Sequence, residues 1–308
     1  MPEIGAGREE MASIVEELSG YSGKFAALGK RPACTYPLPS RSAVSNIAED
    51  LRSVLFPGYF GSSEASGDNV RFHVGATLDF VARDLEEQIR RAICFACADQ
   101  AAFSNCGRQA ADATARFLEH LPAIQRVLTE DVIAAYEGDP ACTSPDEAIL
   151  AYPGIYALTF YRIAHDLFEL EVPLLPRIIT EIAHSATGID IHPGARIGRR
   201  FFIDHGTGVV IGATCIIGER VRIYQGVTLG AKSFQLDEEG RLVKGVPRHP
   251  IIEDDVVIYS GATILGRITI GRGSVIGGNV WLTNGVPPDS RVTQGNARYD
   301  VFHSGSGI

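Results

Sequence analysis

Residues 188–230 read GIDIHPGARIGRRFFIDHGTGVVIGATCIIGERVRIYQGVTLG, with apolar residues at every sixth position: Ile191, Ile197, Ile203, Val209, Cys215, Val221 and Val227. The same beat returns further on as Ile252, Ile258, Ile264, Ile270, Ile276 and Leu282. Glycine often follows the apolar residue, as in Ile197-Gly198, Ile211-Gly212, Ile217-Gly218, Ile270-Gly271 and Ile276-Gly277. An α-helix repeats about every 3.6 residues and a half-buried strand about every two, so a period of six fits neither. It fits a parallel β-helix, in which each hexad supplies one short strand and one corner and three hexads close a triangular coil. One apolar side chain per hexad then points into the prism. The step from Val227 to Ile252 is 25 residues, not a multiple of six, so residues 231–247 (AKSFQLDEEGRLVKGVP) are read as an inserted loop. A polar loop of that length in a compact repeat is usually functional, and this one runs straight into Arg248-His249-Pro250.

The chain before Gly188 has a different texture. Residues 77–98 place Leu78, Val81, Leu85, Ile89 and Ile93 three or four apart, one apolar stripe on a helix, with Thr77 as its expected N-cap. Residues 43–56 and 123–137 carry weaker versions of the pattern. Residues 148–170 and 177–186 read as further helices, separated by the VPLLP segment with Pro173 and Pro176. Residues 1–40 are rich in Gly, Ser and Pro and read as a flexible N-terminal segment. The expected class is therefore α+β: a flexible segment over 1–40, an all-α domain over 41–187, a parallel β-helix over 188–285 with its loop at 231–247, and a C-terminal tail over 286–308.

The net charge of −9 is unevenly spread. Residues 1–185 hold 15 Lys/Arg against 26 Asp/Glu, a net of −11, and residues 186–308 hold 13 against 11, a net of +2. No basic face for nucleic acid is expected; the C-terminal part is the one suited to an anionic ligand. Apolar runs are broken well short of the ~20 residues a membrane span needs, and MPEIGAGREE lacks the basic head and apolar run of a secretory signal. The six cysteines, Cys34, Cys94, Cys97, Cys106, Cys142 and Cys215, are scattered. Cys94-x-x-Cys97 falls in a helical stretch with no neighbouring Cys or His in sequence to complete a zinc site. Reduced, mostly buried thiols and a cytoplasmic location are expected, with no metal.

Of eight histidines, His192, His205 and His249 fall in the repeat region, which has few packing reasons to hold imidazoles. His205 sits near a corner, two positions past Ile203, with Asp190 fifteen residues earlier. With coils of 18 residues, a carboxylate three short of direct stacking can reach the imidazole on the neighbouring coil. Such a carboxylate would fix the ring's tautomer and leave its other nitrogen as a base. Spacing alone leaves open that both are ordinary corner residues.

The hexads resemble those of the left-handed hexapeptide acyltransferases, a known exception to right-handed crossovers, whose flat prism faces pack three chains into a trimer. GIDIHPGARIG (188–198), IDHGTGVVIG (203–212), YQGVTLGA (224–231) and RHP (248–250), with the lead-in DPAC and YPGIYALTFYRIAH, resemble the serine O-acetyltransferases over about 139–285. The acidic helical N-terminal part also matches that family. The resemblance implies acetyl-CoA as cosubstrate and L-serine as acceptor. It implies His205 as general base and Asp190 as the group that holds it. Asp139 and Asp204 would bind the serine ammonium, Arg248 its carboxylate and His249 its hydroxyl region. Gly230, Ala231, Ser260 and Gly278 would line the pantetheine, with Lys232, Lys244 and Arg272 near its phosphates. The family commonly has an acidic residue after VVIG; here it is Ala213. Cys215 is read as an inward repeat position, not as a nucleophile. The terminal Ile308 on its Gly/Ser tail fits the residue that family members insert into cysteine synthase, and cysteine is the expected feedback inhibitor. A homotrimer is implied, with a dimer of trimers open.

Three other readings stay open. Acetyl transfer to a sugar would use the same fold, though a neutral acceptor needs no paired charges such as Arg248 with Asp139 and Asp204. A zinc enzyme of the carbonic-anhydrase type would use His192, His205 and His249. A non-catalytic scaffold would use none of them.

Overall fold

The computed structural model describes residues 10–20, 36–61, 69–97 and 105–295. Residues 10–20, inside the segment read as flexible, form helix α1, every residue of which is exposed. Six helices follow: α2 (Arg41–Leu55), α3 (Asn69–Ala96), α4 (Cys106–Gly138), α5 (Pro145–Ala151), α6 (Pro153–Glu169) and α7 (Leu175–Thr187). Their ends follow local chemistry. Ser40 caps α2 by accepting the Ala43 N–H at 3.3 Å, and Ser144 caps α5 by accepting the Glu147 N–H at 3.2 Å. Gly188 ends α7 in the left-handed conformation that glycine takes without steric cost (φ 71°), its N–H on His184 O at 2.8 Å.

Three sequence expectations need correction. Thr77 is interior, because α3 starts at Asn69 and its first two turns lie too near the surface to join the apolar stripe. The helix expected over 148–170 is two helices, broken where Pro153 starts a new one. Pro176 sits in the first turn of α7, where its missing N–H costs nothing. One core joins the helices, with Leu51, Leu85, Phe117, Leu128 and Phe160 almost wholly buried. No helix among the described residues is long and apolar enough to cross a membrane.

From Asp190 onward the chain winds as a three-sided parallel β-helix. The first sheet stacks β1 (Asp190–Ile191), β4 (Val210–Ile211), β7 (Thr228–Gly230), β10 (Thr263–Leu265) and β13 (Trp281–Leu282). The second stacks β2 (Arg196–Ile197), β5 (Ile216–Ile217), β8 (Ile251–Ile252) and β11 (Thr269–Ile270). The third stacks β3 (Phe202–Ile203), β6 (Arg222–Ile223), β9 (Val257–Ile258), β12 (Val275–Ile276) and β14 (Arg291–Val292). The inward side chains form a second core, from Ile191 through Ile223 and Ile264 to Val280.

The register corrects the sequence beat. Ile203 stacks on Ile223, Ile211 on Leu229 and Ile217 on Ile252. Val209, Cys215, Val221 and Val227 are buried, but they are a second inward position, two residues before the stacked one. In the first coil the phase changes at one corner. Asp190 pairs with Val210, 20 residues on, whereas Val210 pairs with Thr228, 18 on. The first coil therefore has two residues more than the regular coil assumed from the sequence. The inserted loop accounts for a second irregularity, since Thr228 pairs with Thr263, 35 on, and Thr263 with Trp281, 18 on. The last coil is two residues short, Val275 pairing with Arg291, 16 on.

The helices dock on the third sheet through close approaches that only glycine permits. A Cβ on Gly154 would stand 2.4 Å from Ile203 O, and one on Gly138 would stand 2.7 Å from the Phe202 ring. A buried ion pair completes the joint. Arg162 meets Asp131 at 3.0 Å and donates to Ile197 O at 2.6 Å and Gly198 O at 2.7 Å, while Asp131 accepts the Phe201 N–H at 3.0 Å. Burial pushes the Asp131 carboxyl up to about 6, against the downward pull of Arg162.

Candidate active site

The two additional residues of the first coil are His205 and Gly206. Gly208, Gly226 and Gly261 occupy equivalent corner positions, each N–H bonded to the coil before it, on Gly188 O, Thr207 O and Gln225 O. Asp204, Tyr224 and Tyr259 are likewise equivalent, donating to Ile223 O, Ile258 O and Ile276 O. Later coils have one residue between these positions, Gln225 or Ser260, and the first has three, His205, Gly206 and Thr207. His205 (φ 56°) and Gly206 (φ 91°) take the resulting bend in the left-handed region. His205 is lifted off the prism, its side chain 73% exposed. A Cβ on Gly206 would stand 2.5 Å from Ile189 Cδ1, so only glycine lets the bend close.

Carboxylates gather around this corner. Asp204 Oδ1 lies 3.8 Å from His205 Nε2. Asp139, brought in by the end of α4, accepts the Tyr152 hydroxyl at 2.5 Å and the Ala141 N–H at 2.8 Å. These bonds hold its carboxyl below the usual range, with the fields of His205 and Arg222 adding to them. Sequence reasoning gave Tyr152 and Arg222 no role. Tyr152 opens the quoted YPG stretch, and its hydroxyl is raised well above the ordinary tyrosine range by burial and by the Asp139 bond.

The expected bond between Asp190 and His205 is not formed. Asp190 lies instead with Glu181 and His184 of α7, their ligand atoms all within 4.8 Å of one another. Among the described residues this is the group able to surround a metal ion, although Glu181 is already engaged by Arg177 and by His184 at 3.4 Å. Asp190's backbone is nonetheless joined to the His205 corner through the Asp190 N–Val209 O bond of 2.9 Å and the Gly208 N–Gly188 O bond of 2.8 Å.

Arg248 and His249 stand on a different corner, between the first and second sheets. His249 is 7% exposed. Its Nδ1 accepts the Thr214 N–H at 3.1 Å, which in the neutral ring places the proton on Nε2. Thr214 Oγ1 lies 2.9 Å from the same nitrogen and accepts the Arg248 and His249 N–H groups at 2.9 and 3.2 Å. Arg267 braces this turn from the next coil, donating to Thr214 O at 2.7 Å and His249 O at 3.0 Å. Burial, with help from Arg248 and Arg267, pushes His249 down to about 4. His192, on the same corner, is also pushed down to about 4, by burial and then by Arg177, His249 and Arg248. Gly212 leaves room for the His249 ring, since a Cβ there would stand 2.0 Å from Cδ2.

The inserted loop closes on itself through an antiparallel bridge between Leu236 and Leu242. With the coil it encloses a cavity of about 150 Å³ lined by Lys232, Phe234, Val246, Arg248 and Arg267. Arg248 Nε is buried and makes no hydrogen bond among the described residues.

Within one chain, then, His205 with Asp139 and Asp204 occupies one corner, and Arg248 with His249 another. Ser260 and Gly278 stack on later coils of the His205 corner, Gly278 approaching Ser260 O closely. Gly230 and Ala231 lie across the first sheet, where the inserted loop begins. Arg272 is on the third corner, away from both groups. His192, His205 and His249 are not brought together as a zinc triad. Ile308 and Cys34 lie outside the described residues.

Residues 249–284 match a family model described as bacterial transferase hexapeptide (six repeats). The chain is 57% identical over 277 residues to the plasmid serine acetyltransferase of Synechococcus elongatus, covering 89% of this chain and 87% of that protein. It is 49% identical to the serine acetyltransferase of Bacillus licheniformis over 54% of this chain and 73% of that one. Among solved structures, serine acetyltransferase 1 of Entamoeba histolytica in complex with L-cysteine aligns with a TM-score of 0.71 and 37% identity, over 86% of this chain and 92% of its own. The soybean enzyme complexed with serine aligns with a TM-score of 0.54 and 29% identity, over 84% and 99%. With its helical N-terminal region, its left-handed β-helix and these relatives, the chain belongs to the serine acetyltransferase family of hexapeptide-repeat transferases.

Proposed function

We propose that the chain transfers the acetyl group of acetyl-CoA to the hydroxyl of L-serine, releasing O-acetylserine and CoA for cysteine biosynthesis, with His205 as general base. The observation that carries the reading is the His205–Gly206 addition. It lifts an imidazole out of an otherwise regular coil, beside Asp204 and within the field of Asp139.

His205 takes the proton from the serine hydroxyl as its oxygen attacks the thioester carbon. A tetrahedral oxyanion forms, the carbon–sulfur bond breaks, and His205 returns the proton to the CoA thiolate. Asp139 and Asp204 hold the serine ammonium. Asp190 leaves its place beside Glu181 and His184 to steady the imidazole once substrate is bound. Arg248 receives the serine carboxylate. A buried guanidinium N–H left unpaired costs about 1–3 kcal/mol, and a carboxylate relieves it through a charge-assisted bond. His249 presents its Nε2–H to the reacting oxygen.

These groups stand on two corners, so the complete site needs two chains. In the proposed homotrimer the His205 corner of one prism faces the Arg248 corner of its neighbour. Two such trimers can pair into a hexamer. CoA runs between them, along Ser260 and Gly278 on one side and Gly230 and Ala231 on the other. Cysteine, with the same ammonium and carboxylate as serine, occupies the acceptor site as a feedback inhibitor. Ile308 carries binding to cysteine synthase, and a pull-down that is unchanged when Ile308 is removed would end that part.

The test is release of CoA thiol on mixing the protein with acetyl-CoA and L-serine, run beside a panel of sugars. Release with serine alone supports the reading. Release with a sugar and none with serine would replace it.

A further inference from the structure

Sequence spacing left Cys94 and Cys97 without a partner, but the fold supplies one. Cys97 is the residue just beyond α3, and Cys106 is the first residue of α4. Their sulfurs lie 3.7 Å apart across nine positions of sequence. Cys94, one helical turn before Cys97 and buried, interacts with the same Cys106 thiol. Three of the protein's six cysteines thus meet at the joint between its two longest helices. The proposed mechanism uses none of them.

The two thiols differ in a way that assigns them separate roles. Cys97 is half-buried and lines a cavity of about 410 Å³, together with Ile93, Gln109, Asp112, Arg116 and Glu171. This gives a small oxidant a route to its sulfur. Cys106 is 1% exposed, and burial raises its thiol above the usual range. An oxidant therefore meets Cys97 first, and Cys106 is placed to resolve the product.

We infer that Cys97 and Cys106 form an oxidisable thiol pair, a modification site that hydrogen peroxide converts to a disulfide joining the end of α3 to the start of α4. In the first step the Cys97 sulfur attacks one peroxide oxygen. The O–O bond breaks, Cys97 becomes a sulfenic acid and one water leaves. In the second step the Cys106 sulfur attacks the Cys97 sulfur, the S–O bond breaks and a second water leaves with the Cys106 proton. Two thiols lose two electrons and two protons, and one peroxide becomes two waters. The sulfurs must close to about 2.05 Å, which rotation of the Cys97 side chain at its helix end can supply. The product closes a loop of about ten residues, so it stabilises the folded chain by restricting the unfolded one.

The test uses the full-length protein before and after peroxide, with remaining thiols alkylated. Trypsin leaves Cys94, Cys97 and Cys106 in one peptide, residues 92–108, so chymotryptic cleavage at Phe95 and Phe103 is used to separate them for mass spectrometry. The expected result is a dithiothreitol-sensitive peptide pair joining Cys97 to Cys106, with Cys94 alkylated and titratable thiols falling from six to four. The oxidised protein melts a few degrees above the reduced one, and Cys97→Ser abolishes both the linked pair and the shift. Recovery of Cys97 and Cys106 as alkylated thiols overturns the inference, as does a bond from Cys106 to Cys94 or Cys34.

Discussion

Thr214 holds His249 from two sides: its N–H donates to His249 Nδ1 at 3.1 Å, and its Oγ1 accepts the His249 N–H at 3.2 Å. The same hydroxyl accepts the Arg248 N–H at 2.9 Å. One threonine thus sets both the tautomer of His249 and the backbone of the residue expected to bind the acceptor carboxylate. Thr214→Val keeps the shape and removes the hydroxyl. It is expected to lower kcat/KM for serine about tenfold, the effect of losing roughly 1–2 kcal/mol of hydrogen bonding. Steady-state kinetics with varied serine read the change.

Arg267 makes the adjacent brace, with one nitrogen on both Thr214 O and His249 O. Arg267→Ala is expected to raise KM for serine several-fold while leaving KM for acetyl-CoA near its original value. A change confined to acetyl-CoA would place Arg267 in the other subsite.

His192 and His249 give the fold a pH dependence with a definite sign. Both are pushed down to about 4 from an ordinary value of 6.5, chiefly by burial. Between those pH values the unfolded chain binds more protons than the folded one, so stability is complete above about 6.5 and is lost as the pH falls toward 4. Asp131, pushed up to about 6, acts in the opposite sense over the lower part of that window, but it is one group against two. The thermal midpoint is expected to fall between pH 7 and pH 4.5. His249→Gln should make that fall shallower.

Asp131 serves Arg162 and the Phe201 N–H at one buried point where helices meet coil. Asp131→Ala strands the guanidinium and is expected to cost about 3–5 kcal/mol. Asp131→Asn keeps an acceptor for Phe201 and should cost less. Urea denaturation of the two variants separates the charge from the hydrogen bond.

The coil was legible in the sequence because a period of six excludes helix and ordinary strand. Its phase was not. A hexad buries two apolar positions, so a count by sixes passes from Ile203 to Val209 without a break. The stacked residue is in fact Ile211, eight positions on. That hidden shift is the His205–Gly206 bend, which changes which side chains neighbour Asp190. His205, Asp139, Asp204, Arg248 and His249 were legible from their motifs, but their division between two corners depends on the winding of the coil. Arg222 and Arg267 carry no motif, and Tyr152 opens a quoted stretch that assigns it no role. They matter through bonds or fields that cross between elements far apart in sequence.

The central claim is that His205 accepts the serine proton, and His205→Ala tests it most directly. The side chain is 73% exposed, so the variant is expected to keep the wild-type melting temperature. CoA-thiol release with serine should fall by about 10²–10⁴-fold, the usual worth of a general base. A correctly folded His205→Ala protein that releases CoA at the wild-type rate would contradict the account.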